Sequence, residues 1–500
     1  MVRTVKSTQL PGLSPLDRSA GQLGRQLAQQ LRDAIRSGSL RPGEPLPATR
    51  HLATALKVAR GTVVEAFEQL VAEGFLESRM GAGTAVATHI PSSAKHTPKR
   101  ATPNRIIRPL SATVARYAAI ADAFRPLPGV PFAISVPTGA AAPGDVWRKL
   151  GNRVRATRSA APAGYADPQG LLRLRRAIAD YVRKSRSVTC DAEQVIVTSG
   201  TQQGLYLACQ VLLGETDQAW VEDPAYLGLT RILESIGPPG RIVRVPVDEE
   251  GLVVDEGVRR APLARAAFVT PSHQFPLGMP LSMRRREALL DWARACNAWV
   301  VEDDYDSELR YAGHPFPSLQ GLDNHRVVYL GTFSKILFPS LRLGYVIAPA
   351  DLVSAFCGAR IVMDRHPPTA DQHVLATYIS EGYLDRHIRR IRSAYAESRA
   401  ALVRILQAHL PPGLVGLQPS DQGMHLVAWL DDRLDDVQIA QTSIARGVAV
   451  RPLSPTYSAK SRYRRPGLIL GFGGFSSEQM IAAAITLGEV IQQAAGPAGH

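Results

Sequence analysis

The sequence predicts a multidomain protein, with a small, mainly helical domain at its N-terminal end and a large α/β domain behind it. In residues 22–37 an apolar side chain recurs every four residues, at Leu23, Leu27, Leu31 and Ile35, as on one face of an amphipathic helix. Further along, short β-branched stretches each run into a small polar turn and then an apolar segment, the strand-turn-helix order of an α/β domain. A chain of 500 residues with 45% hydrophobic content can bury a large core in more than one domain.

The N-terminal domain is predicted to contain three helices and a hairpin. A proline-glycine turn at 41–44 ends the first helix, and Gly74 stops the third. The predicted elements are a helix over 22–37, a helix that opens at 46–50 and runs through Leu56, a helix from Arg60 to about Glu73, and strands at 75–79 and 83–87. Two helices joined by a short turn and followed by a hairpin form the outline of a winged helix-turn-helix.

These blocks, from 46–50 to 81–84, resemble the GntR family of DNA-binding domains. The resemblance, with the docking of such motifs, implies that the third helix enters the major groove and that the hairpin approaches the adjacent groove. Ala59 stands where the family usually has a capping serine, so that helix start is expected to be slightly less stable. The alternative is a helical accessory domain with ordinary surface arginines. The residues expected at DNA are Arg60 and Thr62 at base edges or phosphate, Arg50 on the backbone, and Arg79, Gly81 and Gly83 in the wing.

Positive charge is concentrated at the front of the chain. Residues 1–126 contain 18 Lys and Arg against 8 Asp and Glu, an excess of ten out of the net charge of +14. A basic domain favours phosphate contacts, although much of the excess lies in the polar, proline-rich stretch 91–126, where a solvated tether explains it. We therefore predict a DNA-binding domain over 15–88, a flexible basic linker over 89–126 and a large domain over 127–500.

Lys335 is the most informative residue of the large domain. It follows the strand-like stretch 327–331 and stands beside Thr332 and Ser334, with Arg342 a little further on. A lysine that forms a Schiff base with pyridoxal phosphate needs such neighbours, because hydroxyls and a guanidinium can hold the phosphate. The alternative is a surface lysine at a strand-to-helix turn.

A cluster of carboxylates ends another predicted strand, 298–301. Ligands collect at the carboxyl ends of parallel strands, and a carboxylate there can keep the pyridine nitrogen of the cofactor protonated. Asp303 is the predicted partner of that nitrogen and Asp304 the competing one, while Tyr305 is suited to the 3' oxygen. A solvated acidic turn is the alternative.

Two further strands end in turns suited to the same ligand. After 195–198, the backbone N–H groups of Gly200, Thr201 and Gln202 open an apolar helix and can bind phosphate, unless the turn is only a helix cap. After 220–223, Tyr226 can stack on the cofactor ring or pack in the core.

From about Pro131 to the end, the order and spacing of these pieces resemble the fold type I aminotransferases dependent on pyridoxal phosphate. The resemblance implies an α/β large domain with a smaller α+β C-terminal domain, and a homodimer whose cofactor sites lie across the interface. The roles it implies are Lys335 as the Schiff-base lysine, Asp303 at the pyridine nitrogen, Tyr305 at the 3' oxygen, Tyr226 on the ring, Thr201, Gln202, Thr332 and Arg342 on the phosphate, and Tyr165 reaching the phosphate from the neighbouring subunit.

The chain departs from that enzyme family at two places. The family carries Asn-Pro-(Thr/Ser)-Gly where this chain has 273–278, so Gln274 is the available substitute for the asparagine at the 3' oxygen. The family also places a carboxylate-binding arginine near the C-terminus, where 467–472 is apolar here. Arg451 is the predicted replacement at the effector, with a surface arginine at a strand end as the alternative.

The whole combination resembles the MocR subfamily of bacterial transcriptional regulators. The resemblance implies a homodimeric factor that binds operator DNA and carries pyridoxal phosphate, with either the cofactor or an amino compound as effector. A working class I/II aminotransferase with a DNA-binding head, and a repressor whose rear domain is only a scaffold, are the alternatives. We find no membrane-length apolar run, secretion signal or metal-ligand spacing, so we expect a cytoplasmic protein, nucleoid-associated when DNA-bound.

Overall fold

The structure is a computed structural model that describes residues 10, 13–79, 83–89, 111–124, 126–137, 144–157, 162–311, 313, 316–418 and 420–496. The chain divides into two compact units, residues 1–109 and 110–500.

The first unit is a winged helix-turn-helix, as the sequence predicts. Its hairpin is antiparallel, with Leu76 opposite Val86. The elements are α1 (Leu23–Arg36), α2 (Thr49–Leu56), α3 (Arg60–Ala72), β1 (Leu76–Arg79) and β2 (Gly83–Val86). Leu27 and Leu31 of α1 pack with Val63 of α3 in one buried cluster, so the periodic apolar positions do form the core of this unit.

The turn between α2 and α3 explains how the two helices change direction. Lys57 adopts a left-handed backbone, with φ of 53°, directly after α2. Ala59 precedes α3 in an extended conformation, and α3 begins without a side-chain cap. The expected uncapped helix start is therefore present.

A helix, α4 (Ala112–Ala123), occupies part of the stretch predicted as flexible linker, so the prediction is wrong for these residues. Ser111 caps α4 by accepting a hydrogen bond from the Val114 N–H at 3.3 Å, and the alanine-rich sequence favours a helix. Arg116 donates to the Glu234 carbonyl at 2.7 Å, which ties α4 to the large domain. The boundaries 15–88, 89–126 and 127–500 otherwise stay a prediction.

The large domain is built on an eight-stranded sheet in the order β3-β10-β9-β8-β7-β4-β5-β6. Strands β5, β4, β7, β8 and β9 pair in parallel, whereas β10 runs antiparallel to both β9 and β3. The carboxyl ends of β3, β4, β7, β8 and β9 therefore meet at one edge. The strands are β3 (Val195–Thr198), β4 (Ala219–Asp223), β5 (Ile242–Asp248), β6 (Gly251–Leu252), β7 (Ala266–Val269), β8 (Trp299–Asp304), β9 (Val327–Thr332) and β10 (Gly344–Ile347).

Both faces of this sheet are buried. Val195 and Val197 of β3 belong to one apolar cluster, while Ile196 between them belongs to another, so alternate side chains point to opposite layers. A sheet covered on both faces explains why its strands read as continuous apolar runs. The helices of this domain are α5 (Gly144–Arg155), α6 (Leu172–Arg186), α7 (Thr201–Leu212), α8 (Leu227–Ile236), α9 (Val254–Arg260), α10 (Met283–Ala295), α11 (Leu319–Leu322), α12 (Val353–Asp364) and α13 (Ala370–Ser380).

The C-terminal part is a smaller α+β domain, as predicted. Its antiparallel sheet has the order β11-β12-β14-β13, and Arg451 lies opposite Ile469. The elements are α14 (Tyr383–His409), β11 (Val415–Leu417), β12 (His425–Leu430), α15 (Asp436–Ala445), β13 (Arg451–Pro452), β14 (Gly467–Gly471) and α16 (Ser477–Ala495). In the described parts of the chain, no helix is both long enough and apolar enough to span a bilayer.

Candidate cofactor site and DNA-binding surface

Lys335 lies in the turn directly after β9, at the edge where the parallel strands end. Its Nζ donates to the Ser135 hydroxyl at 2.5 Å. Burial lowers the pKa of Lys335, an effect opposed by the nearby carboxylates of Asp306 and Asp303. A lowered pKa increases the fraction of free amine, which is the form that attacks a carbonyl.

The neighbouring carboxylates of β8 have different environments. Asp304 accepts hydrogen bonds from Arg186 Nε at 2.7 Å, the Tyr329 hydroxyl at 2.6 Å and the Ser307 hydroxyl at 2.9 Å. Asp303 faces a small cavity instead. The Oδ1 atoms of Asp303 and Asp304 are both buried without a hydrogen-bond partner in the described structure, but only Asp304 is held by the protein through its other oxygen. Burial, followed by the charge of Asp304, raises the pKa of Asp303 to about 7. Asp304 is therefore engaged by the protein, whereas Asp303 is available to a ligand.

The residue that precedes α7, Gly200, and Arg342 come close together, and the charge of Arg342 acts on Lys335. Gly200 has a φ of 90°, and a Cβ at this position would lie 3.3 Å from Arg342 Nη1. Thr332 Oγ1 accepts from the Ser334 N–H at 3.2 Å, and the buried Ser334 Oγ has no partner among the described residues. A helix N-terminus, a guanidinium and an unpaired hydroxyl are the groups that bind a phosphate.

Aromatic side chains line the cavity next to Asp303. The Tyr226 hydroxyl donates to Gln202 Oε1 at 3.0 Å, and its ring meets the Phe275 ring edge-on at a centroid distance of 5.8 Å. Phe275 also lies 6.1 Å from the ring of Tyr305. The ring-stacking role of Tyr226 stays a prediction, but the residue does line this cavity.

Gln274 does not take the place of the missing asparagine, which corrects the prediction. Its Nε2 is buried and donates to Glu222 Oε2 at 3.2 Å and to the Pro224 carbonyl at 2.9 Å, so its amide is engaged by the protein. Phe275 is the residue directly before Pro276, where the enzyme family has its asparagine. An apolar ring therefore stands in the position of a polar amide.

Tyr305 is bonded within the protein as well. Its hydroxyl lies 3.0 Å from His273 Nδ1, and the same nitrogen lies 2.9 Å from Asp306 Oδ2. The adjacent His425 contacts the Pro276 carbonyl through Nε2 at 3.0 Å, and burial lowers the pKa of His425 to about 3. Sequence reasoning missed His273 as a functional residue, although it stands in the motif that departs from the family.

Arg451 lies on β13, near enough to Tyr226 for its charge to act on that phenol. Burial and then the charge of Asp303 raise the pKa of the Tyr226 hydroxyl, while Arg342 and Arg451 lower it, so all three charged groups act on this phenol. Arg451 is half-buried and has no ion pair among the described residues. Its guanidinium is therefore available, and its backbone partner is Ile469 of the apolar strand β14.

Tyr165 lies apart from these groups within one chain. It is 77% exposed, and the Arg365 guanidinium lies 4.3 Å from its ring centroid. Its predicted contact with the phosphate of a neighbouring subunit stays a prediction.

The residues predicted to contact DNA lie mainly at the starts of α2 and α3. Arg50 and Arg60 are exposed, and Thr62 is half-buried in the first turn of α3. Gly83 begins β2 with a φ of 87°. Arg79 belongs to β1, but its side chain, like the whole of Gly81, lies outside the described residues.

The fold and the site together define a DNA-binding transcriptional regulator whose second domain is an aminotransferase-like domain. The model for bacterial regulatory proteins of the gntR family matches residues 23–86, and the model for aminotransferases of class I and II matches residues 130–465. The α-aminoadipate aminotransferase LysN from Thermus thermophilus superposes with a TM-score of 0.70 and 25% identity, covering 78% of this chain and 98% of its own.

Curated relatives match this chain over almost its whole length. The chain is 39% identical over 470 residues to the "Probable rhizopine catabolism regulatory protein MocR" of Rhizobium meliloti, covering 93% of each chain. It is 34% identical over 470 residues to the "HTH-type pyridoxine biosynthesis transcriptional regulator PdxR" of Corynebacterium glutamicum, covering 93% of this chain and 96% of that protein. The chain belongs to the MocR-type regulators. Its cofactor is pyridoxal phosphate, which fits the unpaired Asp303 Oδ1, the unpaired Ser334 Oγ and the close approach of Arg342 to Gly200.

Proposed function

We propose that the aminotransferase-like domain senses a small molecule, either pyridoxal phosphate itself or an amino compound, and thereby changes the affinity of the head for operator DNA. The proposal rests on one observation: the residues suited to the cofactor are present, whereas two residues of the enzyme family are missing. Asp303, Lys335 and Arg342 are all suited to the cofactor, while Phe275 replaces the enzyme family's asparagine and β14 carries no arginine. Such a site retains cofactor binding but lacks parts that an efficient transaminase uses.

Pyridoxal phosphate, when bound, supplies an aldehyde that condenses with primary amines. Lys335 contributes an amine whose pKa is lowered by burial, so a larger fraction of it is unprotonated at a given pH than for an exposed lysine. Asp303 would hold a proton on the pyridine nitrogen, and Tyr226 would lie against the ring. The phosphate would be held by Arg342, the Ser334 hydroxyl and the first turn of α7, which includes Thr201 and Gln202.

The effector we favour carries a carboxylate beside its amine. Arg451 is half-buried, unpaired among the described residues and close enough to Tyr226 to affect the pKa of its phenol. In the antiparallel pair it stands opposite Ile469, so its side chain lies on the same face of the sheet as that residue of β14. An arginine on β13 in place of one on the neighbouring strand β14 keeps a guanidinium near Tyr226.

We also propose a homodimer in which Tyr165 completes the partner's phosphate site. Tyr165 is 77% exposed, and α12 presents Val362 at 88% exposure next to Ile361 and Met363. Contiguous apolar side chains of this size favour burial against another subunit. Sedimentation velocity should show a dimer whose dissociation constant rises on Val362→Glu, while a monomer at micromolar wild-type concentration would contradict it.

Effector binding by the large domain and DNA binding by the head are thermodynamically linked in this proposal. If an effector binds the DNA-bound and free forms with different affinity, DNA must change the affinity for the effector by the same factor. The head would act on operator DNA in the cytoplasm through α3 and the wing, with Arg60 and Thr62 at the groove.

The deciding experiment is an absorbance titration of the cofactor-loaded protein with pairs of compounds that differ only in a carboxylate. Amino acids accepted by the site should shift the visible band, whereas the matching amines should bind at least ~10-fold more weakly. Arg451→Ala should remove this difference, and Arg446→Ala, which removes an arginine paired with Glu489 at 3.7 Å, should preserve it. Operator binding is measured on the same samples. A DNA affinity that is the same with and without cofactor and every bound amino compound would refute the sensor proposal.

Turnover is the second candidate function, favoured by the lowered pKa of Lys335 and the available Asp303. Sustained formation of a keto acid in excess of the protein, absent in Lys335→Ala, would establish it. Conversion limited to one equivalent would leave sensing as the function of the domain.

A further inference from the structure

The buried pair His273 and Asp306 has no part in the functions described so far. His273 and Asp306 are both about 2% exposed, and His273 Nδ1 lies 2.9 Å and 3.1 Å from the two carboxylate oxygens of Asp306. The same Nδ1 lies 3.0 Å from the hydroxyl of Tyr305. Two groups, the Asp306 carboxylate and the Tyr305 hydroxyl, thus share one buried nitrogen of His273.

The hydrogen-bonding capacities of the three groups determine where the protons lie. A carboxylate only accepts, so the proton shared with Asp306 must be on Nδ1 of His273. With Nδ1 protonated, the Tyr305 oxygen can only accept from it, and the phenol proton is free for another acceptor. Burial, and then Asp306 and Asp303, raise the pKa of Tyr305, so the phenol keeps that proton.

We infer that His273, held by Asp306, is a positioning residue that turns the Tyr305 hydroxyl into a one-way donor toward the 3' oxygen of the cofactor. The inference rests on the proposed placement of Tyr305 at that oxygen. It explains how the site works without the family's asparagine, because Phe275 provides no donor and Gln274 is bonded elsewhere. The remaining donor, Tyr305, is oriented by a histidine.

Two glycines support this reading by the room that they leave. Gly423, with a φ of 86°, faces the His273 ring so closely that a methyl group there would overlap it. A methyl group on Gly278 would lie 3.1 Å from His273 Nε2, and this nitrogen has no hydrogen-bond partner in the described structure. The backbones of Gly423 and Gly278 therefore lie close against the ring, beside its Nδ1 edge and its Nε2 edge respectively, and leave it little room to move.

The charged and titratable groups around Tyr305 must be considered in a pH experiment. Asp306, Asp303, Glu222 and Asp304 act on the phenol itself, His425 interacts with His273, and Lys335 acts on His425 and Asp303. Variants that keep all of these groups and change only the contact between His273 and Tyr305 isolate the proposed effect.

The test measures the pH midpoint of the visible absorbance change in the cofactor-loaded, full-length protein. A donor to the 3' oxygen stabilises negative charge there, so its loss raises the midpoint. Tyr305→Phe should raise it by about one pH unit and His273→Gln by about half a unit. His273→Asn, whose amide nitrogen reaches the position of Nδ1, should stay closer to the wild type than His273→Gln does.

A double-variant cycle separates positioning from general damage. In the Tyr305→Phe background, His273→Gln should add less than about 0.2 units, because the contact it breaks is already absent. Gly423→Ala keeps the imidazole but crowds both the His273 ring and Asp306 Oδ2, so it disturbs the pair that positions Tyr305. It should therefore give the same upward shift even if His273→Gln does not load cofactor. A wild-type midpoint in both variants, or an equal shift without the phenol, would overturn the inference. A wild-type protein without a visible band, or a Lys335→Ala variant that retains it, would instead refute the proposed function.

Discussion

Asparagine substitutions at Asp303 and Asp304 should have opposite effects on stability, although the two residues are adjacent. Asp304 and Arg186 form an ion pair at 2.7 Å whose side chains are 1% and 3% exposed. Asp304→Asn leaves the guanidinium buried without a counter-charge, which typically costs about 3–5 kcal/mol. The cofactor is not needed for this effect, because Asp304 is bonded to the protein alone.

Asp303→Asn should stabilise the cofactor-free protein at alkaline pH. Burial raises the pKa of Asp303 from 3.8 to about 7. The unfolded chain therefore loses this proton at lower pH than the folded one, and stability falls as pH rises from about 4 to about 7. At pH 8 the substitution should remove a penalty of up to about 4 kcal/mol, given 1.36 kcal/mol per pKa unit.

Urea unfolding at pH 5 and pH 8 measures both effects, using fluorescence of the buried, stacked Trp220 and Trp292. With pyridoxal phosphate present, the order of stability of the wild type and Asp303→Asn changes. The substitution removes a charged partner for the ring nitrogen, which should weaken cofactor binding by about 10- to 100-fold. The reasoning is refuted if Asp304→Asn keeps wild-type stability, or if it lowers cofactor affinity while Asp303→Asn does not.

Three further predictions concern the helix starts. Ala59→Ser should stabilise the head by about 0.5–1 kcal/mol, because Ala59 has the backbone geometry of a helix cap but no side-chain acceptor. The measurement is the thermal unfolding transition of the head, and no gain would mean that the turn cannot accept a cap. Arg60→Ala should weaken DNA binding and reduce the slope of log affinity against log salt by about one if Arg60 meets a phosphate, whereas an unchanged slope would place it elsewhere. Gly200→Ala should lower cofactor affinity by about 10-fold or more in equilibrium dialysis, because it combines a φ of 90° with a methyl group 3.3 Å from Arg342 Nη1, and wild-type affinity would contradict this packing.

The elements that sequence reasoning found were those with local signals. The three helices and two strands of the head lie within a few residues of their predicted bounds, since apolar spacing, a Pro-Gly turn and Gly74 are all read within one short window. Lys335, Thr332 and Arg342 could likewise be singled out because they stand at or after the end of one strand, although their roles at the cofactor stay a prediction. The sequence could not decide which of Asp303 and Asp304 meets the pyridine nitrogen, because the answer depends on Arg186, which is 118 residues from Asp304 along the chain.

Other features depend on contacts between distant parts of the chain. Ser135 bonds to Lys335 from 200 residues away, and no pattern around Ser135 indicates that contact. Gln274 looked like a polar substitute for asparagine, but Glu222 and the Pro224 carbonyl, about 50 residues upstream, bind its amide. The helix at Ala112–Ala123 was missed because its basic and polar surroundings resemble those of a tether.

The hydrogen bond between Ser135 and Lys335 ties the lysine amine to the stretch between α4 and α5. Ser135 and Phe132 both have left-handed backbones, with φ of 65° and 69°, in a short stretch that also bonds to β14 through the Phe132 carbonyl. A lysine nitrogen that condenses with a carbonyl compound has fewer protons to donate to that hydroxyl. A change at Lys335 therefore reaches a stretch that follows α4 along the chain, in the part of the large domain nearest in sequence to the head.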